Sequence, residues 1–471
     1  MIQESCILLY NASIVSSDGV RAGAVGIRNE RISNVWYAGD DGTVEFGGKH
    51  IPAKELPSAF LEMYPGAEAT DTAGKLLMAG GIDAHVHFRE PGLTAKADIS
   101  SESSAAVLGG VTSFIDMPNT TPPTVSAARL SEKLAIAEGR SYANYGFHLG
   151  ATNNNSEEIR ALAGSEDFAG IKVFMGSSTG NMLVDNDSAL KDIFHIKGKR
   201  VLVHCEDESI IRENMQKAIE RYGEAIPFRA HEEIRSRKAC IRSAAKALEM
   251  AIEYGTRLHL LHISTAEEIE MVRAAKQINR EITAETSANY LWFCDSDYDT
   301  LGSKVKCNPS IKTARDRDAL REALKDGIID TVGSDHAPHL ESEKLRPYLY
   351  APSGIPSIQH SLPVLLTVAQ QEDIPVERIA SAFSEKPAEL FGIKDRGAIK
   401  EGYYADIVIV DPECRFTPVR DDLRYKCGWT PYEGAELKGK VDTVFVNGKK
   451  AVSKGRLTTE GPAGNKLVFK N

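Results

Sequence analysis

Long apolar runs, an excess of positive charge and paired cysteines are all missing from this chain of 471 residues. Near the N-terminus the apolar stretch ILLY is too short for a signal peptide or a membrane span, and no basic segment precedes it. The seven cysteines include no Cys-x-x-Cys pair, which is typical of free thiols in a reducing compartment. These absences predict a cytoplasmic protein without a membrane segment.

The charge balance argues against nucleic acid or an anionic membrane as a partner. The chain has 56 Lys and Arg against 66 Asp and Glu, a formal net charge of −10. A broad basic surface is therefore not expected. Since 42% of the residues are hydrophobic and 26% are charged, the composition is that of an ordinary globular protein rather than a disordered one. A small-molecule substrate is the best expectation.

The middle of the chain alternates between strand-like and helix-like segments. Such alternation predicts βα units around a parallel sheet, and eight units in a domain of this size predict an α/β fold with a (β/α)8 TIM barrel over residues 76–394. The eight strand-like runs are LLMAGGIDAHVHF, GVTSFIDMP, NYGFHLGA, AGIKVFMG, RVLVHCE, RLHLLHIS, EITAETSA and IDTVGSDHAP.

Two of the intervening segments predict helices with defined ends. The segment HEEIRSRKACIRSAAKALEMAIEYG has apolar residues at helical spacing and is expected to end near Gly255. The segment TAEEIEMVRAAKQIN opens with the capping-box pattern of Thr265 and Glu268. Their apolar stripes are interpreted as core.

The two ends of the chain have a different pattern. Residues 1–75 and 395–471 contain short alternating runs, such as CILLYNASIVS and VDTVFVNGKK, separated by Gly and Asn-Gly. This pattern predicts strands from both termini that meet in one small β-sandwich domain beside the barrel.

Histidines stand at the ends of several predicted strands. His85 and His87 in GIDAHVHFREPG are two residues apart, so in a strand both rings point to one face. An isolated His-x-His is more often a pair of partly buried side chains than a metal site. Other strand-like runs, however, also end in residues able to bind a metal or a substrate, and strand ends meet on one face of a barrel. These further residues are Lys172, His204, His262, Asp335 and His339.

This set of side chains favours a metal centre. Four imidazoles and a carboxylate fit a borderline divalent ion such as zinc. An ammonium cannot bind a metal, but a lysine with a lowered pKa can react with CO2 to give a carbamate that bridges two ions. The alternative for Lys172 is a barrel-interior cation paired with an acid. The metal ligands predicted on this basis are His85, His87, Lys172, His204, His262 and Asp335.

Two ions that share a hydroxide would supply a nucleophile at neutral pH and polarise a carbonyl, a design suited to hydrolysis of an amide-type bond. Asp335 can bind one ion through one oxygen and the hydroxide through the other. It is therefore predicted to be the general acid/base, which accepts a proton and later donates it to the leaving nitrogen.

Seven motifs along the chain resemble those of a known enzyme family. In order and spacing the chain resembles the dihydroorotases of the cyclic amidohydrolase branch of the amidohydrolase superfamily, nearly from end to end. The resemblance implies reversible cyclisation of N-carbamoyl-L-aspartate to L-dihydroorotate with loss of water, the third step of pyrimidine synthesis. It also implies a homodimer and leaves open a complex with aspartate transcarbamoylase. The motifs are HVHFREPG, DMPNTTPPT, IKVFMG, HCED, HISTAE, KCNPSIK and SDHAPH.

The same resemblance implies a set of substrate contacts. Arg89 offers a fork that matches the substrate carboxylate, and Asn119 and His339 resemble the other carboxylate-binding residues. His87 is expected to contact the substrate as well as a metal. For three more residues, which resemble positions that hold the pyrimidine ring, a structural role in a loop is the alternative. They are Asn308, Ser353 and Gly354.

Some residues depart from the dihydroorotase pattern and keep rival interpretations open. Many dihydroorotases have an aspartate where Lys172 stands, and a lysine there is similar to hydantoinases and dihydropyrimidinases. Another cyclic amidohydrolase, allantoinase included, is the nearest alternative, and an inactive scaffold is a more distant one. Arg89 favours dihydroorotase, because a substrate without a ring carboxylate would leave the guanidinium unpaired. The loop at 340–356 is hypothesised to move over the site.

Overall fold

The structure, a computed structural model, describes residues 5–176 and 182–470, so the outermost ends of the predicted terminal domain, 1–4 and 471, lie outside the described residues. Its strands, in chain order, are β1 (Cys6–Ser16), β2 (Gly19–Arg28), β3 (Arg31–Tyr37), β4 (Thr43–Phe46), β5 (Lys49–Pro52), β6 (Glu68–Asp71), β7 (Leu76–Ala79), β8 (Gly81–Val86), β9 (Val111–Asp116), β10 (Asn144–Phe147), β11 (Leu149–Gly150), β12 (Gly170–Phe174), β13 (Arg200–His204), β14 (Leu258–Leu260), β15 (Thr283–Ser287), β16 (Thr331–Gly333), β17 (Ile407–Phe416), β18 (Leu437–Val446), β19 (Lys449–Ser453) and β20 (Arg456–Leu457).

Helices lie mostly between the strands of the middle region. None of the helices in the described ranges is long and apolar enough to cross a membrane. The α-helices are α1 (Leu56–Met63), α2 (Ile99–Leu108), α3 (Ala127–Ala137), α4 (Ser156–Leu162), α5 (Asp187–Phe194), α6 (Glu208–Tyr222), α7 (His231–Ile234), α8 (Arg237–Tyr254), α9 (Ala266–Ile278), α10 (Ala288–Trp292), α11 (Tyr298–Leu301), α12 (Ala314–Lys325), α13 (Glu341–Lys344), α14 (Ser361–Gln371), α15 (Val376–Ala380) and α16 (Lys386–Leu390).

Strands from both termini form one nine-stranded sheet. Its order is β20-β19-β18-β17-β7-β1-β2-β3, and β6 pairs with β1. The Asn-Gly pair at Asn447 and Gly448 forms the turn between β18 and β19, with positive φ at both residues as such a turn requires. The two ends of the chain therefore meet in one sheet, which is consistent with the predicted β-sandwich domain, while the bounds of that domain stay a prediction.

A small insertion covers part of this terminal sheet. The antiparallel hairpin of β4 and β5, followed by α1, brings Phe46 and Phe60 against Trp36 of β3. All three rings are buried. Aromatic packing of this kind fixes the insertion on the sheet.

The middle region contains two parallel sheets with the orders β10-β9-β8 and β11-β12-β13-β14-β15-β16. All of their strand residues are buried, which explains the nearly continuous apolar runs in the sequence. The sheets approach each other at both edges. On one side the Ala169 amide donates to the Phe147 carbonyl at 3.0 Å, and on the other the His87 amide donates to the His336 carbonyl at 2.8 Å. The strand pairings thus give two sheets with linked edges rather than one continuous barrel sheet.

The predicted elements agree closely with this arrangement. Each of the eight strand-like runs contains a parallel strand of the middle region. The first run is divided, because Leu76–Ala79 joins the terminal sheet while Gly81–Val86 joins the middle region. The helix predicted over 231–255 is divided into α7 and α8 by a break at Arg235 and Ser236, but its predicted end is confirmed, since Gly255 ends α8 in a left-handed conformation. The capping box of Thr265 and Glu268 at α9 is also confirmed.

Candidate metal centre and substrate pocket

The predicted metal ligands converge on one cavity at the C-terminal ends of the parallel strands. Each lies in a strand or within two residues of a strand's end, which is the face where this type of fold places its sites. The cavity is lined by His85, His87, Lys172, Phe174, His204, His262, Cys307, Asn308, Asp335, Ala337, Ser353 and Gly354. All six predicted ligands are in that set.

His85, His87 and Asp335 form the first group of ligand atoms. Asp335 Oδ1 lies 3.3 Å from His85 Nε2 and 3.3 Å from His87 Nε2. One ligand atom from each residue lies within 4.8 Å of the others, and all three residues are buried. Two imidazole nitrogens and a carboxylate oxygen at this spacing fit a divalent metal ion.

His204 and His262 form the second group. His204 Nδ1 lies 2.9 Å from His262 Nε2, so the two rings direct nitrogens at one point. Burial lowers the pKa of both rings, and neighbouring positive groups lower the pKa of His262 further. His262 Nδ1 is buried and has no hydrogen-bond partner in the described part of the chain. Neutral imidazoles that face each other in this way can hydrogen-bond to each other or bind one metal ion together.

Lys172 lies on the wall of the same cavity and is 1% exposed. Its ammonium lies 4.5 Å from the centre of the Phe174 ring. Within the described ranges Lys172 forms no ion pair, so the alternative of a paired interior cation is not supported. Burial lowers the pKa of Lys172 to about 7, although Asp335 and Glu285 act in the opposite direction. A substantial fraction of the amine is therefore neutral at pH 7, the form that reacts with CO2.

Three site residues adopt backbone conformations that are uncommon for residues other than glycine. The φ angle is +66° at Arg89, +38° at His262 and +46° at Asp335. Such conformations cost about 1–3 kcal/mol each and persist where the surrounding structure enforces them. At each of these residues the backbone changes direction just after a strand ends.

Two carboxylates that contact the predicted histidine ligands, on the ring nitrogens that face away from the metal site, were not predicted from the sequence. Glu285 Oε1 lies 2.7 Å from His85 Nδ1, and Glu206 Oε2 lies 3.1 Å from His204 Nε2. Arg235 in turn pairs with Glu206. Carboxylates in this position fix the orientation and tautomer of a ligating histidine. The available signals were an acid two residues after His204 and an acid inside the buried run EITAETSA.

Asn119 likewise contacts a predicted histidine ligand, His87. Its Oδ1 lies 2.7 Å from His87 Nδ1, so the amide oxygen accepts the proton on that nitrogen and leaves Nε2 for a metal. The predicted carboxylate contact of Asn119 would have to use its amide nitrogen. Asn119 is buried beside the cavity and is not part of its lining.

Arg89 is a buried cation with unused donors. It is 2% exposed, and its Nε donates to the Pro338 carbonyl at 3.1 Å. Its Nη1 is buried and has no hydrogen-bond partner within residues 5–176 and 182–470. Burial lowers the pKa of Arg89 to about 10, partly offset by Asp116 and Asp335, so the guanidinium is charged at neutral pH.

The proton of His339 can be assigned from its neighbours. Lys96 Nζ lies 3.0 Å from His339 Nδ1, and because an ammonium only donates, Nδ1 is the acceptor. His339 Nε2 then carries the proton and donates to the Ser353 carbonyl at 3.0 Å. Arg89 Nη2, 3.1 Å from the same Nε2, therefore faces a donor. Among the described residues, Nη1 of Arg89 therefore has no acceptor and Nη2 faces a donor, and neither Arg89 nor His339 is among the residues that line the cavity.

The three predicted ring-binding residues all line the cavity. Asn308 Oδ1 is buried and has no hydrogen-bond partner among the described residues. At Gly354 a Cβ atom would lie 2.4 Å from the Ala337 carbonyl oxygen and 2.8 Å from His339 Cδ2, so only glycine fits. The polypeptide backbone therefore approaches His339 closely at this point.

Comparisons with known proteins agree with this geometry. Residues 76–451 match the family model described as "Amidohydrolase family". The chain is 36% identical to a dihydroorotase of Methanosarcina mazei over 80% of this chain and 82% of the relative. It is 31% identical to an allantoinase of Desulfitobacterium hafniense over 98% of both chains. A solved L-hydantoinase (dihydropyrimidinase) of Arthrobacter aurescens superimposes with a TM-score of 0.88 and 26% identity, over 98% of this chain and 99% of that one. The chain belongs to the amidohydrolase family.

Proposed function

We propose that the chain is a dihydroorotase, which interconverts L-dihydroorotate and water with N-carbamoyl-L-aspartate in pyrimidine synthesis. The observation that carries this proposal is the buried guanidinium of Arg89, whose Nη1 has no partner within the described residues. A buried charge without a partner is costly, and a bidentate carboxylate satisfies it best. Dihydroorotate has a carboxylate on the ring, whereas hydantoin, dihydrouracil and allantoin have none.

The ligand geometry supports a metal-dependent reaction. His85, His87 and Asp335 fit one ion, and His204 with His262 fit a second. Nitrogen-rich sites of this kind suit zinc, which is the metal we propose, with two ions per chain. Lys172, as a carbamate, would supply the anionic bridge between them. When bound, the metal pair would activate a water molecule and polarise the amide carbonyl.

The side chains of the protein then divide the remaining work. His85 and His87 are held in one tautomer by Glu285 and Asn119, which keeps both Nε2 atoms available. Asp335 is the general base. The neighbouring rings of His85 and His87 keep its pKa low despite burial, so it is ionised and able to accept a proton.

In the hydrolytic direction, a water oxygen forms a bond to the ring carbonyl carbon, and Asp335 accepts the proton from that water. The carbon–nitrogen bond then breaks, and Asp335 returns the proton to the nitrogen. No external oxidant or reductant is needed. Arg89 holds the substrate carboxylate, and Asn308 with the backbone at Gly354 borders the ring.

Allantoinase is the second candidate, favoured by one observation. The allantoinase of Desulfitobacterium hafniense aligns over 98% of this chain, while the Methanosarcina mazei dihydroorotase aligns over 80%. Coverage reports shared architecture, whereas the choice of substrate depends on groups in the pocket. The unpaired guanidinium of Arg89 therefore weighs more. An inactive scaffold is disfavoured because the six ligand candidates line a single cavity.

We also propose a domain organisation and a cellular setting. The two parallel sheets, linked at both edges, would form a closed (β/α)8 barrel over residues 76–394 that contributes β7 to the terminal sheet. Residues 1–75 and 395–471 would form the β-sandwich domain. The enzyme would be a cytoplasmic homodimer, with aspartate transcarbamoylase as a candidate partner.

The test is the turnover of L-dihydroorotate by the purified full chain, followed by its loss of ultraviolet absorbance, with parallel assays on hydantoin, dihydrouracil and allantoin. Metal analysis of the same sample should give about two zinc ions per chain. Turnover of dihydroorotate alone supports the proposal. Turnover of allantoin alone would transfer the enzyme to the second candidate. The Asp335→Asn variant, which should fold and lose turnover, assigns the activity to this site.

A further inference from the structure

Two buried lysines beside the substrate pocket have no carboxylate partner in the described ranges. Lys306 is 7% exposed and Lys344 is 1% exposed. Burial, together with smaller contributions from nearby cations, lowers the pKa of each to about 7. Buried lysines are normally paired with an acid. Their hydrogen bonds must therefore explain why they are buried.

Among the described residues, the Nζ groups of both lysines donate only to backbone carbonyls. Lys306 Nζ donates to the carbonyls of Tyr348 and Ala351 at 2.7 and 2.6 Å. Lys344 Nζ donates to the carbonyls of Lys306, Pro352 and Gly354 at 3.1, 2.9 and 3.0 Å. In the protonated form of each lysine these are charge-assisted hydrogen bonds, which are stronger than neutral ones. The five bonds connect two segments that both border the pocket, 306–308 and 348–354, which we call the pocket loops.

Other contacts join the pocket loops at the same place. The Gly354 amide donates to the Lys306 carbonyl at 2.9 Å, so that oxygen accepts from both Gly354 and Lys344. His231 also spans the two loops, with Nδ1 2.7 Å from the Tyr348 hydroxyl and Nε2 2.8 Å from the Cys307 carbonyl. The hydrogen bonds from Lys306 and Lys344 are therefore part of a larger set of contacts between the two pocket loops.

We propose that Lys306 and Lys344 are positioning residues for the substrate, which hold the pocket loops together so that Asn308 and the backbone of Ser353 and Gly354 face the ring. The inference rests on the proposed function for the identity of the substrate, but the tie between the loops does not. Neither lysine lines the cavity, so each acts through the loops.

Removing either lysine should weaken binding of the substrate and of the transition state equally. The reason is that the loops contact the substrate ring, whereas the reacting bond lies at the metal ligands. Removing a group that binds the ground state and the transition state equally raises KM and leaves kcat unchanged. Loss of charge-assisted hydrogen bonds of this number corresponds to a rise in KM of about tenfold or more.

The experiment compares the full-length variants Lys344→Met and Lys306→Met, each of which keeps the length of the side chain and removes its donors. Lys199→Met is the matched control, since Lys199 is also a buried lysine, 3% exposed, which lies against the Phe168 ring and makes no contact with the pocket loops. The readouts are KM and kcat for L-dihydroorotate, bound metal, and deuterium exchange in the peptide that covers residues 347–356.

We expect Lys344→Met and Lys306→Met to raise KM at least about tenfold with kcat within about threefold, to keep the metal, and to speed exchange of the Gly354 amide. Lys199→Met should change none of these. Unchanged KM in both pocket variants, or an equal rise in Lys199→Met, would overturn the proposal. If the wild type does not turn over dihydroorotate, the proposed function fails, and exchange alone decides whether the lysines tie the loops.

Discussion

At the scale of single residues, the protonation of His339 determines what Arg89 can bind. Lys96 donates to His339 Nδ1, so the other ring nitrogen is a donor and cannot satisfy Arg89. Burial and the nearby cations Arg89, Lys96 and Lys344 hold the pKa of His339 well below its ordinary value, which keeps the ring neutral. Arg89, Lys96 and His339 beside the cavity thus offer donors and positive charge, which fits the anionic substrate that we propose.

We predict that Arg89→Lys raises KM for L-dihydroorotate by about 100-fold, because a point charge replaces a two-donor fork. Bound metal should stay at the wild-type level, since Arg89 is not among the ligand atoms. Steady-state kinetics and metal analysis of the purified variant check both statements. Arg129→Lys is the control, because Arg129 is exposed and pairs with Glu132 of the same helix. An Arg89→Lys enzyme with wild-type KM would remove Arg89 from the binding site.

Lys172 is predicted to matter through an anion that it forms, not through its positive charge. We expect Lys172→Ala to lose at least one of about two metal ions per chain and most of its turnover, because the bridging group is missing. Added short carboxylic acids should restore part of both. Metal analysis with and without the acid is the measurement, and Lys199→Ala controls for the loss of a buried lysine. Full metal content in Lys172→Ala would exclude a bridging role.

The site residues differ in how far their placement could be predicted from the sequence. The period of two in a strand was enough to place His85 and His87 on one face, and strand ends were enough to bring six residues to one cavity. The tautomer of His339 was not predictable, because it depends on Lys96, 243 positions away. The positive φ angle at Arg89 likewise follows from the surrounding structure and not from its own preference.

At the scale of elements, β8 and β16 approach closely at the site. A Cβ atom at Gly333 of β16 would lie 3.0 Å from His85 Cβ and 2.9 Å from Glu285 Oε2. Glycine at this point lets the strand pass behind the ligand and its carboxylate partner. The geometry of His85 therefore depends on the absence of a side chain in a neighbouring strand.

We predict that Gly333→Ala weakens metal binding by about tenfold or more, because the added methyl group displaces Glu285 from His85. Overpacking of a buried site should also destabilise the fold by about 1–3 kcal/mol. A competition titration with a chelator measures the first effect, and chemical denaturation of the metal-free protein measures the second. Gly164→Ala is the control, since a Cβ atom there would meet nothing within 4 Å. Equal metal affinity in both variants would contradict the proposed role of this glycine.

Element boundaries show the limit of local patterns. The helix caps at Thr265 and Gly255 are local signals, and both were predicted correctly. The run LLMAGGIDAHVHF reads as one strand, yet its first part pairs with β1 and β17 while the rest pairs with β9. Which sheet a strand joins is decided by long-range partners, and a local apolar pattern carries no information on them.

At the scale of the whole molecule, a buried polar cluster joins the terminal sheet to the parallel strands. Asn144 Nδ2 donates to Asp406 Oδ2 at 3.0 Å, and the backbone N–H of Asn447 donates to Asp406 Oδ1 at 2.8 Å. Asn447 Nδ2 donates to Asn144 Oδ1 at 2.7 Å, and Arg396 pairs with Asp406. All four residues are buried. The cluster connects β10 of the parallel strands with the loops that flank β17 and β18.

We predict that Asp406→Ala destabilises the protein by about 3–5 kcal/mol, because it leaves the buried guanidinium of Arg396 without its partner. A thermal unfolding scan of the metal-loaded protein checks this as a clear fall in Tm. KM for L-dihydroorotate at 25 °C should stay at the wild-type value, since Asp406 touches none of the cavity residues. The control is Glu436→Ala, which removes an exposed pair with Arg415 and should cost no more than about 1 kcal/mol. If Asp406→Ala changed KM but not Tm, the cluster would act on the site and not as a joint between the terminal sheet and the parallel strands.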